Sequence, residues 1–189
     1  MALPSSLRAD TCLVLGGARS GKSHYAETLA HEAGKEVVYI ATAKVLDAGI
    51  QQRVNQHISS RPSEWQTVEE PIALADSLLK WASPQRVILV DCLTMWLTNL
   101  MAENNESRMN QELEQLLECI SKLTGMIVFV SNEVSMGVVP MGEMTRQFVD
   151  EAGRLHQQLA QQVDQVVLVV AGLPHILKSK LMPPKACKH

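Results

Sequence analysis

A glycine-rich segment near the start of the chain has the residue types and spacing that bind phosphate. Gly16, Gly21, Lys22 and Ser23 form the pattern Gly-x-x-x-x-Gly-Lys-Ser, and the apolar residues 13–15 precede it. In this pattern backbone N–H groups face nucleotide phosphates, the ammonium contacts the β and γ oxygens, and the hydroxyl binds Mg²⁺. The glycines permit close approaches that a Cβ would prevent. The alternative is an ordinary glycine turn between a strand and a helix.

A second candidate is a carboxylate at the end of an apolar strand. Residues 87–90 are Val-Ile-Leu-Val, and Asp91 follows them. A carboxylate at this end of a strand suits the Mg²⁺ of a nucleotide bound at a neighbouring strand end. We therefore predict Ser23 and Asp91 as metal ligands and Lys22 as the cation on the phosphates. The alternative role for Asp91 is the N-cap of the next helix.

Three cationic or potentially cationic residues recur every four positions. Arg53, His57 and Arg61 share one face if a helix extends that far, because side chains four apart stack on successive turns. Such a stripe repels itself unless an anion lies among its members, and a triphosphate would serve. Neighbouring arginines disfavour imidazolium, which keeps a ring nitrogen free as a nucleophile. The alternative is a solvated basic face on which His57 has no chemical role.

Alternating apolar runs and amphipathic stretches predict how these residues are positioned. Continuous apolar strands separated by helices indicate an α/β fold with a mostly parallel sheet and helices on both faces. The glycine-rich pattern at 16–23 favours the P-loop class of such folds. Predicted strands cover 11–15, 36–41, 66–68, 86–90, 126–130 and 165–170, and predicted helices cover 22–33, 48–59, 71–82, 93–102, 109–123 and 144–162. Ligands of such sheets lie at the carboxyl ends of the strands. Asn132 and Glu133 follow one such end, where substrate contact and a capped turn are equally good explanations.

Composition narrows the class of protein. The 189 residues fit one domain over 1–178, with a mobile tail over 179–189. The net charge of −3 gives no basic footprint for nucleic acid. No signal segment and no apolar run of about 18 residues is present, so we expect neither export nor a membrane span. The four cysteines form no C-x-x-C pair, which favours reduced thiols in the cytoplasm over a zinc site or disulfides.

The ordered combination of these residues resembles the bifunctional adenosylcobinamide kinase and adenosylcobinamide-phosphate guanylyltransferase family of cobalamin nucleotide-loop assembly. The resemblance covers nearly the whole chain and implies an α/β fold of the P-loop NTPase-like (RecA-like) class. The matching segments are Gly-Gly-Ala-Arg-Ser-Gly-Lys-Ser at 16–23, Ala-Thr at 41–42, Arg53, His57, Arg61, Pro62 and Trp65, Glu-Glu at 69–70, Asp-Cys-Leu-Thr at 91–94, Ser-Asn-Glu-Val at 131–134, Val-Pro at 139–140, and Ala-Gly-Leu-Pro at 171–174 before Lys178.

The resemblance implies two reactions. ATP or GTP would first phosphorylate the terminal hydroxyl on the aminopropanol arm of adenosylcobinamide. GMP would then pass from GTP to a histidine, with release of pyrophosphate, and onward to adenosylcobinamide phosphate to give adenosylcobinamide-GDP. The implied catalytic residues are His57, which matches the family's guanylylated histidine, and Lys22. The implied nucleotide contacts are Gly16, Gly17, Ala18, Arg19, Ser20, Gly21, Lys22, Ser23, Thr42, Ala43, Lys44, Ile58, Ser59, Ser60, Arg61, Glu69 and Asp91.

Three residues depart from the family pattern. Ser135 stands where the family usually has glycine, Ile58 where a basic residue is common, and His156 where asparagine is usual. The added Cβ of Ser135 matters if its loop needs a backbone angle that only glycine adopts freely. None of the three touches the nucleophile or the phosphate-binding segment.

Other functions and the oligomeric state stay open at this point. One alternative is a P-loop kinase of another small alcohol without guanylyltransferase activity, and another is a nucleotide-dependent binding switch. The missing Asn-Lys-x-Asp motif counts against a regulatory GTPase. The family forms trimers, so the resemblance implies a homo-oligomer. Apolar residues 95–97 and 100–101 suit an interface, although a core helix explains them as well or better.

Overall fold

The computed structural model describes residues 11–44 and 62–180 of the chain. The strands are β1 (Thr11–Gly16), β2 (Glu36–Ala41), β3 (Gln66–Glu69), β4 (Arg86–Asp91), β5 (Met126–Asn132), β6 (Gln165–Val170) and β7 (Leu173–Lys178). The helices are α1 (Lys22–Glu32), α2 (Leu74–Trp81), α3 (Leu93–Ala102), α4 (Glu106–Ile120) and α5 (Glu143–Gln162). The predicted helix over 48–59 and most of the predicted tail lie outside the described residues.

The seven strands form one sheet in the order β3-β2-β4-β5-β1-β6-β7. Every pairing from β3 to β6 is parallel, and the mostly parallel sheet predicted from the apolar runs is confirmed. The prediction that the sheet ends with the strand over 165–170 is wrong, because β7 pairs antiparallel with β6. Most β7 side chains are exposed, so the segment lacks the apolar pattern of the other strands. The feature that indicates β7 is the two-residue turn Ala171-Gly172 before it. Its φ angles of 51° and 78° are typical of a tight β-hairpin.

Successive strand residues pack on opposite faces of the sheet. In β1, Leu13 belongs to the core on one face and Val14 to the core on the other. Helices α2 to α5 cover the face of Leu13, and α1 covers the face of Val14 through Ala26 and Ala30. Helices therefore lie on both faces, as predicted. The 95–101 cluster is a core helix, because Trp96 is fully buried.

Two helices begin away from their predicted positions, and in one of them a capping side chain fixes the start. Helix α2 begins at Leu74 rather than at 71, and the Glu70 carboxylate accepts the N–H groups of Ile72 and Ala73 in the turn before it at 2.9 and 2.7 Å. Asn105 accepts the N–H of Arg108 at 3.0 Å, which places the start of α4 three residues before the predicted one. No described helix is long and apolar enough to cross a membrane.

Candidate active site

The segment 16–23, called the phosphate loop below, joins β1 to α1 as a tight turn. Arg19 and Gly21 have φ of 56° and 93°, and the Ser20 N–H donates to the Gly17 carbonyl at 3.2 Å. The first turn of α1 closes with the Tyr25 N–H on the Gly21 carbonyl at 2.9 Å. The free N–H groups of a helix start carry partial positive charge. The predicted strand, glycine turn and helix are thus present, with the helix N-terminus at the loop.

Close contacts explain the glycines at two positions of the loop. A Cβ on Gly16 would lie 2.4 Å from Ser20 Oγ and 2.6 Å from the carbonyl oxygen of Val169. Gly21 has a positive φ, and a Cβ there would lie 3.1 Å from Gly172 Cα. The Gly172 N–H also donates to the Ser20 carbonyl at 2.8 Å. The turn between β6 and β7 therefore supports the back of the phosphate loop.

Lys22 is the cation of this loop. Its side chain curls back so that Nζ donates to the Gly17 carbonyl at 3.1 Å, and only 9% of the residue is exposed. Burial lowers the pKa of Lys22, while the negative charge of Asp91 opposes that shift. An ammonium held by a single carbonyl gains strongly from an anion, because a charge-assisted bond to phosphate replaces a weaker one. The geometry suits a ligand with phosphate groups on the loop.

Asp91 lies at the carboxyl end of β4, two strands from β1 and thus about 10 Å across the sheet. Its Oδ2 accepts the Tyr39 hydroxyl at 3.0 Å, and the peptide bond to Cys92 is cis. Burial and Asp91 raise the pKa of the Cys92 thiol to about 11, so this neighbour is neutral at pH 7. Asp91 supplies negative charge that favours the protonated form of Lys22.

The donors at this edge suit a nucleotide-borne Mg²⁺ and not a protein cage. Among residues 11–44 and 62–180 no group of three or more His, Cys, Asp or Glu side chains could hold a metal ion. Mg²⁺ in phosphoryl-transfer sites keeps waters and phosphate oxygens and takes one or two protein ligands. Ser23 and Asp91, both half-buried, match that need. Their role as ligands stays a prediction.

Thr42 begins the loop after β2 and is fully buried. Its hydroxyl donates to the Cys92 carbonyl at 2.7 Å and accepts the Cys92 N–H at 2.9 Å. The Asn99 side-chain amide donates to the carbonyls of Thr42 and Pro71 at 2.7 and 3.1 Å. The side chain of Thr42 is therefore engaged in joining β2 to β4. Ala43 and Lys44 follow it half-exposed at the same edge.

The end of β5 lies between the phosphate loop and Asp91. Gly16 and Asn132 are register partners, and the Glu133 N–H donates to the Gly16 carbonyl at 3.0 Å. The Glu133 carboxylate accepts the N–H groups of Ser135 and Met136 at 2.9 and 3.1 Å. The capped turn expected as one alternative is thus present. Position 135 does not require glycine, because Ser135 has no positive φ. The described non-glycine residues with positive φ are Arg19, Asn104 and Ala171.

The remaining predicted residues fall into two groups. Glu69 is exposed at the end of β3, four strands from β1 and so roughly 19 Å from it across the sheet. Glu69 therefore lies away from the phosphate loop, and its role as a nucleotide contact stays a prediction. The others, Arg53, His57, Ile58, Ser59, Ser60 and Arg61, lie outside the described residues.

Four side chains that support the site were not predicted as site residues. Thr94 Oγ1 accepts the Asn132 side-chain amide at 3.3 Å, and His156 Nε2 lies 2.7 Å from Ser131 Oγ. The other two, Tyr39 and Asn99, contact Asp91 and Thr42 as described above. Tyr39 could have been found from register alone, since Ala41 pairs with Asp91 and Tyr39 is two residues earlier on the same strand face.

Solved structures with similar folds support the architecture. An ATPase from the type III secretion system of pathogenic bacteria matches with a TM-score of 0.56 and 10% identity over 88% of this chain and 56% of that chain. The RadB recombinase matches with a TM-score of 0.51 and 18% identity over 86% of this chain and 75% of that chain. At these identities the likeness concerns the fold, which is that of P-loop NTPases.

Sequence comparisons give the family. Residues 12–177 match the family model described as cobinamide kinase / cobinamide phosphate guanyltransferase. The bifunctional adenosylcobalamin biosynthesis protein CobP of Pseudomonas aeruginosa is 52% identical, covering 89% of this chain and 97% of its own length. The corresponding CobU protein of Escherichia coli is 37% identical, covering 85% and 96%. By the extent of these matches and the geometry at the carboxyl edge of the sheet, the chain belongs to the cobinamide kinase / cobinamide phosphate guanyltransferase family.

Proposed function

We propose that this chain phosphorylates adenosylcobinamide with ATP or GTP and then transfers GMP from GTP to the product, giving adenosylcobinamide-GDP. The observation that carries the proposal is the phosphate loop, whose buried Lys22 lies within the electrostatic influence of Asp91 at one edge of the sheet. Full-length similarity to bifunctional relatives supports both activities in one chain.

For the kinase step, the loop would bind the β- and γ-phosphates through its N–H groups and Lys22. Catalysis of phosphoryl transfer is mainly positioning and charge neutralisation. Ser23 and Asp91 would hold Mg²⁺, which would supply positive charge to the phosphate oxygens. Lys22 is suited to the charge that develops on the transferred group, because burial strengthens its electrostatic effect. The substrate hydroxyl would attack the γ-phosphorus, and ADP or GDP would leave.

For the guanylyl step, His57 is the proposed nucleophile. A neutral ring nitrogen would attack the α-phosphorus of GTP, so that an N–P bond forms and the bond to pyrophosphate breaks. A phosphate oxygen of adenosylcobinamide phosphate would then displace the histidine. Arg53 and Arg61 would neutralise charge on the nucleotide, with Ile58, Ser59 and Ser60 as further contacts. This assignment is supported by the family pattern around His57.

The proposal extends to assembly and location. A homotrimer is proposed from the family resemblance, and a cytoplasmic location from the reduced state of the thiols. Cys12, Cys92 and Cys119 are buried and unbridged. Burial raises the pKa of the thiol of Cys12 to about 12 and that of Cys119 to about 11, so both are protonated at pH 7. Sedimentation velocity tests the trimer directly.

Product analysis tests the proposed function. Purified protein incubated with adenosylcobinamide, Mg²⁺ and ATP should give adenosylcobinamide phosphate, and replacing ATP with GTP should also give adenosylcobinamide-GDP, both identified by mass. A kinase without the second activity would stop at the phosphate. A binding switch would hydrolyse nucleotide at a rate indifferent to the corrinoid, which would contradict the proposal.

A further inference from the structure

The segment between β5 and α5 exposes an unusual amount of apolar surface. Among residues 136–144, five large apolar side chains are at least three-quarters exposed, and Val138 and Met141 reach 95% and 97%. The five are Met136, Val138, Val139, Met141 and Met144, called the 136–144 surface below. Scattered exposed apolar residues are normal, but five within nine consecutive residues favour a binding surface.

Polar contacts fix both ends of this segment in position. At its start, the Glu133 carboxylate accepts the N–H groups of Ser135 and Met136. At its end, the Arg146 guanidinium donates to the carbonyls of Pro140 and Met141, the first at 3.1 Å. The polar groups of the loop are thus used internally, while its apolar side chains face outward.

The 136–144 surface follows closely along the chain after a residue that contacts the phosphate loop. The Glu133 N–H donates to the Gly16 carbonyl at 3.0 Å, so the surface begins three residues beyond a residue that touches the loop. It also follows the carboxyl end of β5, the strand between β1 and β4. A substrate whose reacting group lies at the phosphate loop could therefore rest its remaining bulk on this surface.

The acceptor in the proposed reaction has the matching chemistry. A corrinoid is a large macrocycle with apolar faces and a methyl-bearing edge, and its reacting hydroxyl lies on a flexible arm. The ring is too large to enter a strand-end site, so it must lie on surface next to that site. Three of the five side chains are methionines, whose flexible thioethers adapt to irregular apolar ligands.

The other exposed apolar residues of the described chain suit this role less well. Apart from Leu79 on α2, they lie on β6 and β7, as Val170, Leu173, Ile176 and Leu177. Along β7, Ile176 and Leu177 point to opposite faces of an edge strand, because successive strand side chains alternate. Val170 and Leu173 flank the turn behind the phosphate loop, but β6 and β7 lie on the opposite side of β1 from β5 and from Asp91 on β4.

We infer that the 136–144 surface binds the corrin ring of the acceptor, with the arm of the corrinoid directed to the phosphate loop. This inference rests on the proposed function and adds the position of its acceptor site. A second copy of the chain is the competing occupant, and the experiment below separates the two.

The test compares two double variants of the full chain. V138S/M141Q makes the 136–144 surface polar, and I176S/L177Q is the matched control on β7. Each is assayed for the KM of adenosylcobinamide at saturating ATP, for the Kd of a non-hydrolysable GTP analogue, and for oligomeric state by sedimentation velocity. Because the first pair is almost fully exposed, its replacement leaves the core unchanged.

The expected result is a KM for adenosylcobinamide about tenfold higher or more in V138S/M141Q, from the loss of two apolar contacts. Its analogue Kd and sedimentation should equal those of the wild type, and I176S/L177Q should match the wild type throughout. An unchanged corrinoid KM in active V138S/M141Q would overturn this inference and leave the proposed function standing. A corrinoid KM and an analogue Kd that rise together would also overturn it, because the effect would not be specific to the corrinoid. A smaller sedimenting species would overturn it by assigning the surface to a second copy of the chain. A wild-type protein that makes no corrinoid product would instead refute the proposed function and this inference with it.

Discussion

The hydroxyl of Tyr39 donates a hydrogen bond to Oδ2 of Asp91 at 3.0 Å, from one strand to the neighbouring one. The two residues lie on β2 and β4, whose register pairs Ala41 with Asp91. The bond holds the carboxylate in one orientation at the strand end. It thereby connects the interior of the sheet to the group proposed to bind Mg²⁺.

Tyr39→Phe should weaken the proposed metal site without unfolding the protein. Losing one hydrogen bond costs about 1 kcal/mol, so the Mg²⁺ concentration for half-maximal kinase activity should rise about fivefold. Mn²⁺ binding followed by electron paramagnetic resonance in the presence of nucleotide gives a second readout. Tyr25→Phe, on α1, is the control and should leave both values unchanged. Equal metal dependence in the two variants would contradict the role given to Asp91.

Alanine substitutions at the adjacent residues Gly16 and Gly17 should have different effects on the free energy of unfolding. In Gly16→Ala the new Cβ would lie 2.6 Å from a backbone oxygen, whereas a Cβ on Gly17 meets nothing within 4 Å. Overpacking of this kind costs about 1–3 kcal/mol. Gly16→Ala should therefore lower the free energy of unfolding by that amount and weaken binding of a GTP analogue, and Gly17→Ala should leave stability unchanged. Urea unfolding measures both, and equal losses would show that the loop is not packed as described.

Asn99 should be required for the position of Thr42. Its amide donates to two carbonyls, and the residue is 2% exposed. Asn99→Asp replaces a buried donor with a carboxylate facing those carbonyls, which should cost about 3 kcal/mol or more. Asn110→Asp makes the same change at an exposed site on α4 and should stay within about 0.5 kcal/mol of the wild type. Similar urea midpoints for the two variants would refute this role.

His156 should make stability depend on pH just below neutrality. Burial lowers its pKa from the usual 6.5, and the Glu133 carboxylate opposes the shift. The unfolded chain therefore takes up this proton at a higher pH than the native protein does. The contribution of His156 is complete above pH 6.5 and is lost as pH falls from there toward the folded-state pKa.

The comparison variant is His156→Asn, which carries the residue that the family resemblance implies at this position. Between about pH 7.5 and about pH 5.5, the wild type should lose more free energy of unfolding than His156→Asn, by at most about 1.4 kcal/mol per pH unit. Glu133 titrates outside this window. Burial tends to raise its pKa, but hydrogen bonds from Ser135 and Met136 outweigh burial and place the pKa below 4.5. Parallel pH curves for the two proteins would contradict the assignment.

The parts of the fold that local sequence determines were predictable. Apolar runs identified β1, β2, β4, β5 and β6, and the spacing of Gly16, Gly21 and Lys22 identified the phosphate loop. The strand β7 was not predicted, because the side chains of this edge strand are mostly exposed and do not follow the apolar pattern of a buried strand. Helix starts shifted because caps such as Asn105 determine them more strongly than apolar periodicity does.

The supporting contacts of the site were less predictable, because they join residues far apart in the sequence. The bonds from Tyr39 to Asp91 and from Asn99 to Thr42 span 52 and 57 residues. Both depend on the position of β2 next to β4, which no local pattern specifies. The side-chain types were visible in the sequence, but their partners depended on the topology.

The most direct test of the bifunctional assignment is covalent labelling with [α-³²P]GTP. The wild type, denatured after incubation with Mg²⁺ and labelled GTP, should carry an acid-labile, alkali-stable label, as expected of a phosphoramidate. His57→Ala should carry none while still phosphorylating adenosylcobinamide with ATP. An unlabelled wild type, or a His57→Ala variant that retains the label, would contradict the account.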